Sequence, residues 1–193
     1  MLMRIPPTRT TDFRDLDMNL TRREFVIAAA ALAAARPRTL FALGRTDVLI
    51  VQFSDTGERQ GSARVPKVVK ADGDWRKQLS PLAYHITREA GTERAFTGAY
   101  WNLHDKGLFR CICCDTALFS SAAKFDSGTG WPSFWQPIAE ENVHHGKPSG
   151  GYTDSEVTCI RCDAHLGDLF DDGPRPTGLR YCIDSVALRF VKF

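Results

Sequence analysis

The chain has 193 residues, of which 43% are hydrophobic and 25% charged. Those proportions describe one globular domain with room for an appendage and exclude a largely disordered or low-complexity chain. A formal net charge of +2 gives no electrostatic case for nucleic-acid binding, and no uncharged apolar run is long enough for a spanning helix.

Residues 1–42 read as an export signal. Thr21-Arg22-Arg23-Glu24-Phe25-Val26-Ile27 leads into an apolar, Ala-rich run from Phe25 to Ala35. The run is too short to cross hydrocarbon and has the length of a signal h-region. A surface helix would need a polar face, which this run lacks. The paired arginines, with Phe two residues on, resemble a twin-arginine signal, so the expected destination is the periplasm or beyond. Cleavage after Ala35 and cleavage after Ala42 both fit.

Residues 43–73 read as a linker with one strand over Asp47–Phe53 and a turn over Thr56–Gly61. Ser80-Pro81 starts a helix, with Ser80 as the cap and Pro81 in the first turn. Leu82 and Ile86 are expected on one face of it, and Gly91 ends it. From Leu108 onward short β-like runs alternate with Gly-, Pro- and Asp-rich turns. His144 and His145 read as a solvated loop pair. Leu179 to Phe193 is the clearest strand region. The chemistry-bearing domain is 74–193, mainly β.

Cys111-Ile112-Cys113-Cys114 contains one C-x-x-C, and Cys159-Ile160-Arg161-Cys162 is a second. Two such knuckles can place Cys111, Cys114, Cys159 and Cys162 tetrahedrally on one zinc ion. Four protein ligands leave no open position, so the zinc would be structural. Structural disulfides, which an exported protein permits, and a thioredoxin-like redox pair are the competing readings.

Cys113 and Cys182 remain. Cys113 lies inside the first knuckle, where the metal turn sets its direction. Cys182 lies in Gly178-Leu179-Arg180-Tyr181-Cys182-Ile183-Asp184-Ser185. As a strand, this segment puts Arg180, Cys182 and Asp184 on one face. A guanidinium two residues away would lower the thiol pKa from about 8.5. A small buried hydrophobe is the bland alternative for Cys182.

Several stretches together resemble the B-type methionine-R-sulfoxide reductases. They are Gly91-Thr92-Glu93-Arg94-Ala95-Phe96-Thr97-Gly98, Lys124 to Phe134 with its Gly130-Trp131-Pro132-Ser133 core, Ala164-His165-Leu166-Gly167, Asp172-Gly173-Pro174, and Pro176 to Cys182. The match runs in order over about 74–193, with both C-x-x-C pairs in place. The resemblance implies two antiparallel sheets in the β-tent, Mss4-like arrangement, with short N-terminal helices and a four-cysteine zinc site away from the active site. It implies reduction of the R epimer of methionine sulfoxide, mainly within oxidised proteins or peptides. By motif, Cys182 is the nucleophile, Trp131 the wall for the substrate methyl, His165 a holder or protonator of the oxygen, and Arg180 a stabiliser of the thiolate. A core histidine at 165 and ordinary packing of Trp131 are the plain readings of those residues alone. A monomer that draws electrons from a thioredoxin-like protein or a small thiol completes the expectation.

The chain departs from the family pattern in four places. Thr129 stands where many members carry a resolving cysteine, so an external thiol is expected to reduce the sulfenic acid. Asp168 stands where a second histidine is usual, and Asp184 where asparagine is usual. Asp154-Ser155-Glu156-Val157 replaces the common Arg-Thr-Glu-Val. If Asp168 and Asp184 both ionise beside Cys182 they raise its pKa; if one stays protonated it can supply the acid. Asp168 turned to solvent would contribute nothing. Two other functions compete: a zinc-ribbon interaction module, and a degenerate reductase fold that binds oxidised methionine or a partner without turnover.

Overall fold

The computed structural model describes residues 46–147 and 155–193. The twin-arginine segment, both cleavage positions and Asp154 lie outside the described residues. The described chain forms three antiparallel sheets and two short helices. Strand β1 (Asp47–Phe53) and strand β2 (Arg59–Pro66) make a hairpin. Helix α1 (Asp72–Gln78) and helix α2 (Pro81–Glu89) follow. A three-stranded sheet has the order β11-β3-β4, from Leu188–Lys192, Gly107–Cys111 and Ala117–Ser120. A six-stranded sheet has the order β5-β6-β10-β9-β8-β7. Its strands are β5 (Lys124–Phe125), β6 (Ser133–Phe134), β7 (Val143–His145), β8 (Glu156–Cys159), β9 (His165–Phe170) and β10 (Arg180–Ile183). The mainly β reading with short N-terminal helices holds.

The core lies between the two larger sheets. Phe119 of β4 stacks on Phe134 of β6 at 4.4 Å, and Phe109 of β3 meets Phe134 edge-on at 5.0 Å. Tyr181 of β10 joins them through Phe119. Tyr181 and Ile183 are both buried. Successive strand residues face opposite ways, so burial of these two turns Cys182 outward.

Ser80 caps α2 as expected, accepting from Ala83 N, with Pro81 in the first turn. Four features differ from what the residues taken segment by segment suggest. Leu82 is exposed, because the buried stripe of α2 runs through Ala83, Ile86 and Thr87 and leaves Leu82 at its margin. Helix α1 is an addition; Asp72 to Gln78 is too short to show a period, and burial of Trp75 fixes it. Leu179 to Phe193 is two strands in different sheets, split by a turn at Ser185–Ala187. His144 and His145 likewise belong to β7, paired with β8, and the His145 ring packs edge-on against Tyr181.

The hairpin is docked, not a free linker. Fully buried Asn142 accepts from Val51 N at 2.8 Å and donates to Val51 O and Ala117 O at 2.9 and 2.7 Å. Arg110 donates to Phe53 O at 2.9 Å and pairs with Asp55. The segment after β2 is tied to the second knuckle by Val68 N to Arg161 O and by the Lys67–Asp163 ion pair. Asn142→Ala would strip partners from three buried backbone groups. Each orphan costs about 1–3 kcal/mol, so a loss of about 3 kcal/mol or more in a denaturant melt is expected.

Candidate active site and metal centre

The two C-x-x-C segments fold alike. Cys111 ends β3 and Cys159 ends β8, and each strand then turns back on itself. In the first turn Asp115 N donates to Cys111 O and Cys111 N to Thr116 O. In the second, Asp163 N donates to Cys159 O and Cys159 N to Ala164 O. Both aspartates sit at positive φ, 64° and 54°, which Asp tolerates better than most residues. Each knuckle thereby aims two sulfurs inward.

The four sulfurs of Cys111, Cys114, Cys159 and Cys162 lie within 4.8 Å of one another. Cys111 and Cys162 are 3.6 Å apart, and Cys114 and Cys159 are 3.5 Å apart. A tetrahedral ion with bonds of about 2.3 Å sets its sulfurs about 3.8 Å apart, so the donor set fits a thiolate-bound metal. All six cysteines are free, and these separations exceed a disulfide bond, which sets aside the disulfide reading. Cys113 points elsewhere, with its sulfur 3.4 Å from the Thr87 hydroxyl.

Cys182 is half-buried and stands apart from this cluster. It opposes Ser133 of β6 and Asp168 of β9 in register, so the three side chains share one face. Together with Thr92, Trp131, Gly167, Phe170 and Asp184 it lines a cleft of about 260 Å³, as does Asp168. That is smaller than typical cofactor pockets and suits one side chain. Gly167 has φ +145°, and a Cβ there would sit 2.1 Å from the Cys182 carbonyl oxygen. Only glycine lets β9 lie this close to the thiol-bearing strand.

The walls are fixed by polar contacts. The Trp131 indole donates to Glu93 O at 3.1 Å. Arg180 grips Asp172 through two bonds, 2.7 and 2.8 Å, and lies over the Phe170 ring at 4.2 Å. His165 pairs through Nδ1 with Glu156 at 2.8 Å. Asp168 accepts from the Ser155 hydroxyl at 3.1 Å. Asp184 Oδ1 accepts from Glu93 N at 2.8 Å. Thus Cys182, Trp131, Asp168 and Asp184 surround one cleft. Arg180 and His165 are not among its lining residues; both are buried and held by carboxylates.

The electrostatics correct one expectation. Arg180 does pull the Cys182 thiol down, helped by a hydrogen bond from Thr129. Burial is the larger effect, and Asp184 and Asp168 add to it, so the thiol stands above its ordinary value. The Arg180 charge is shared with Asp172, whose carboxyl it holds below the usual range. Burial pushes Asp184 up to about 7, against the pull of the Glu93 N–H. Asp184 also lies just beyond β10, before the Ser185–Ala187 turn, not inside the strand.

Sequence reasoning missed Thr92, Phe170 and Glu93 as site residues, and Asp172 and Glu156 as the partners of Arg180 and His165. Thr92, Glu93 and Asp172 lay inside the motifs quoted above; nothing in their spacing signalled a role.

The sequence that builds this site is similar to known proteins. The SelR domain profile matches residues 79–192. The peptide methionine sulfoxide reductase MsrB of Synechococcus sp. (strain RCC307) is 53% identical over 124 residues, 64% of this chain and 91% of the relative. The protein of the same name from Agrobacterium fabrum (strain C58 / ATCC 33970) is 53% identical over 126 residues, 65% of this chain and 93% of its own. That from Acinetobacter baylyi (strain ATCC 33305 / BD413 / ADP1) is 52% identical over 124 residues, 64% and 89% respectively.

The metal centre yields a direct test. Cys159→Ser leaves three strong donors of four, so metal content measured by elemental analysis should fall well below one ion per chain. The melting temperature should fall with it, because binding energy at such a site is folding energy.

Proposed function

This chain belongs to the SelR domain family and is a methionine sulfoxide reductase, and we propose that its reaction runs through Cys182. One observation carries the assignment: a single unligated thiol faces a small cleft with an indole wall. A module that only binds oxidised methionine is not favoured, and the near-neutral charge gives a nucleic-acid module no support.

The substrate proposed is the R epimer of methionine sulfoxide in oxidised proteins or peptides. Its methyl packs against Trp131, which the Glu93 carbonyl holds in place. The Cys182 thiolate attacks the sulfoxide sulfur. The oxygen cannot depart as an oxide ion, so it takes a proton as the attack proceeds. Asp184 supplies that proton; buried among carboxylates, it is neutral up to about pH 7. His165, held by Glu156 outside the cleft lining, acts on the acid, Asp184. Arg180 stabilises the thiolate before attack. Asp168 adds negative charge to the cleft wall and restrains ionisation of both Cys182 and Asp184.

The sulfoxide sulfur gains two electrons and becomes methionine, and Cys182 loses two and becomes a sulfenic acid bearing the oxygen and one proton. Thr129 cannot form a disulfide with it. An external thiol, from a thioredoxin-like protein or a small molecule, condenses with the sulfenic acid and releases water. A second such thiol then frees Cys182 and leaves as the oxidised disulfide. The metal at the four paired cysteines is zinc in this reading, structural, one per chain, held away from the chemistry. Export through a twin-arginine signal to the periplasm, and action as a monomer, complete the proposal; the paired arginines and apolar run of residues 21–35 support the export.

Incubation of the purified protein with each sulfoxide epimer and dithiothreitol, following free methionine, tests the reading. Consumption of the R epimer alone is expected, and Cys182→Ser should abolish it. Turnover of the S epimer, or survival of activity in Cys182→Ser, would overturn the assignment.

The pH profile gives a second test. Asp184 has a raised pKa, so its acid form is present below about 7 and lost above it. The reaction also needs the Cys182 thiolate, whose pKa lies above that of Asp184, so activity should climb as pH rises to about 7, level off, and fall only once pH passes the pKa of the thiol. Asp184→Asn should remove most of the rate, on the order of 10²-fold for a lost general acid. Asp168→His, which removes a negative charge that opposes ionisation of both Cys182 and Asp184, should move the profile toward lower pH.

A further inference from the structure

Glu93 is the most connected buried charge near the cleft. It is 4% exposed, and among the described residues it forms no ion pair. Its carboxylate accepts from Ser185 N at 2.7 Å and from Val186 N at 3.2 Å, the first two amides of the turn after Asp184. Its own N–H donates to Asp184 Oδ1 at 2.8 Å, and its C=O accepts from the Trp131 indole at 3.1 Å. Four contacts of one residue thus reach both walls of the cleft.

A buried carboxylate with no cation is costly, and two amide contacts offset only part of the cost. A neutral side chain could cap the same turn at a smaller penalty. The negative charge itself therefore needs a reason, and the neighbouring acid provides one. We propose that Glu93 is a positioning residue for the acid of this reaction: its backbone fixes Asp184 and Trp131, and its charge keeps the Asp184 proton in place.

The two halves act on different atoms. The Glu93 N–H occupies Asp184 Oδ1, so the proton sits on Oδ2. By itself that hydrogen bond favours the ionised form, but the Glu93 carboxylate opposes ionisation. The other groups facing Asp184 are Asp168, which also opposes it, and His165 with Glu156 behind it, which favours it. Cys182, with Arg180 behind it, completes the surround. The inference rests on Asp184 being the proton donor.

The test compares Glu93→Gln and Glu93→Asp in the full chain. Glutamine keeps one acceptor and loses the charge, so the limb of the kcat profile that Asp184 sets, where the rate levels off near pH 7, should move down by about one pH unit. At pH 7.5 kcat should fall several-fold, and KM should change less than about twofold. Glu93→Asp restores the charge and should return the limb toward its original place. A limb that stays fixed in Glu93→Gln, with only a lower melting temperature, would make Glu93 purely structural and overturn the proposal. A readout that needs no turnover is the infrared carbonyl band of protonated Asp184, identified by its absence in Asp184→Asn. Its midpoint should drop in Glu93→Gln, and an unmoved midpoint overturns the proposal whatever the activity. Loss of all turnover in the unmodified protein would instead sink the reductase reading and leave this titration to be judged alone.

Discussion

The placement of one sulfur depends on two buried neighbours. Tyr181 and Ile183 are held in the aromatic core between the sheets, and the two-residue period of a strand then leaves Cys182 no other direction than the cleft. Phe119, Phe134 and Phe109 form the mould that fixes this register. A one-residue slip of β10 would bury the thiol and expose two large apolar side chains, at a cost of several kcal/mol by burial alone. The exposure of the thiol at 182 is thus a consequence of packing at 181 and 183.

Packing decides where the thiol points, but charge decides what it can do. The cleft holds more negative than positive charge. Asp184, Asp168 and Glu93 stand around it, and the nearby Arg180 guanidinium is shared with Asp172. Such a site disfavours a thiolate and favours a neutral carboxylic acid. A thiol with a raised pKa beside an acid with a raised pKa lets one proton serve both groups: in the proposed reaction, when it is on Asp184 the sulfur is nucleophilic and the oxygen has its acid. Asp168 and Asp184 act on the thiol in the same direction, and Ser155 binds Asp168.

What the sequence discloses follows from the range of the interactions. The two knuckles are local, so spacing alone points to Cys111, Cys114, Cys159 and Cys162, and the sulfurs converge. The β1 strand and the cap of α2 are local as well. The tethers of the cleft are not. Glu93 and Asp184 are 91 positions apart, and so are Val51 and Asn142. No periodicity or motif carries a pairing across that distance; only the fold brings the partners together. The inner division of Leu179 to Phe193 is hidden for a different reason. Its composition is uniformly strand-like, and the break comes from the Ser185–Ala187 turn that Glu93 caps from outside.

The metal centre and the cleft share a mechanical element. Strand β8 begins at Glu156, which holds His165 and lies opposite Asp168, and ends at Cys159 in the second knuckle. Four strand residues span about 10 Å, so a rigid knuckle at one end limits how far the other can shift. The hairpin ties the same region from outside, through Asn142 to β4 and through Val68 and Lys67 to the second knuckle. Three constraints of different chemistry therefore act on one short strand. A protein repairing oxidised methionine works where oxidants are present, and a thiolate cluster is itself oxidisable. A centre fixed by hydrogen bonds and an ion pair as well as by any metal its four thiolates hold would keep β8 in register even when the thiolates are challenged, and with it Glu156, which pairs with His165 and lies opposite Asp168.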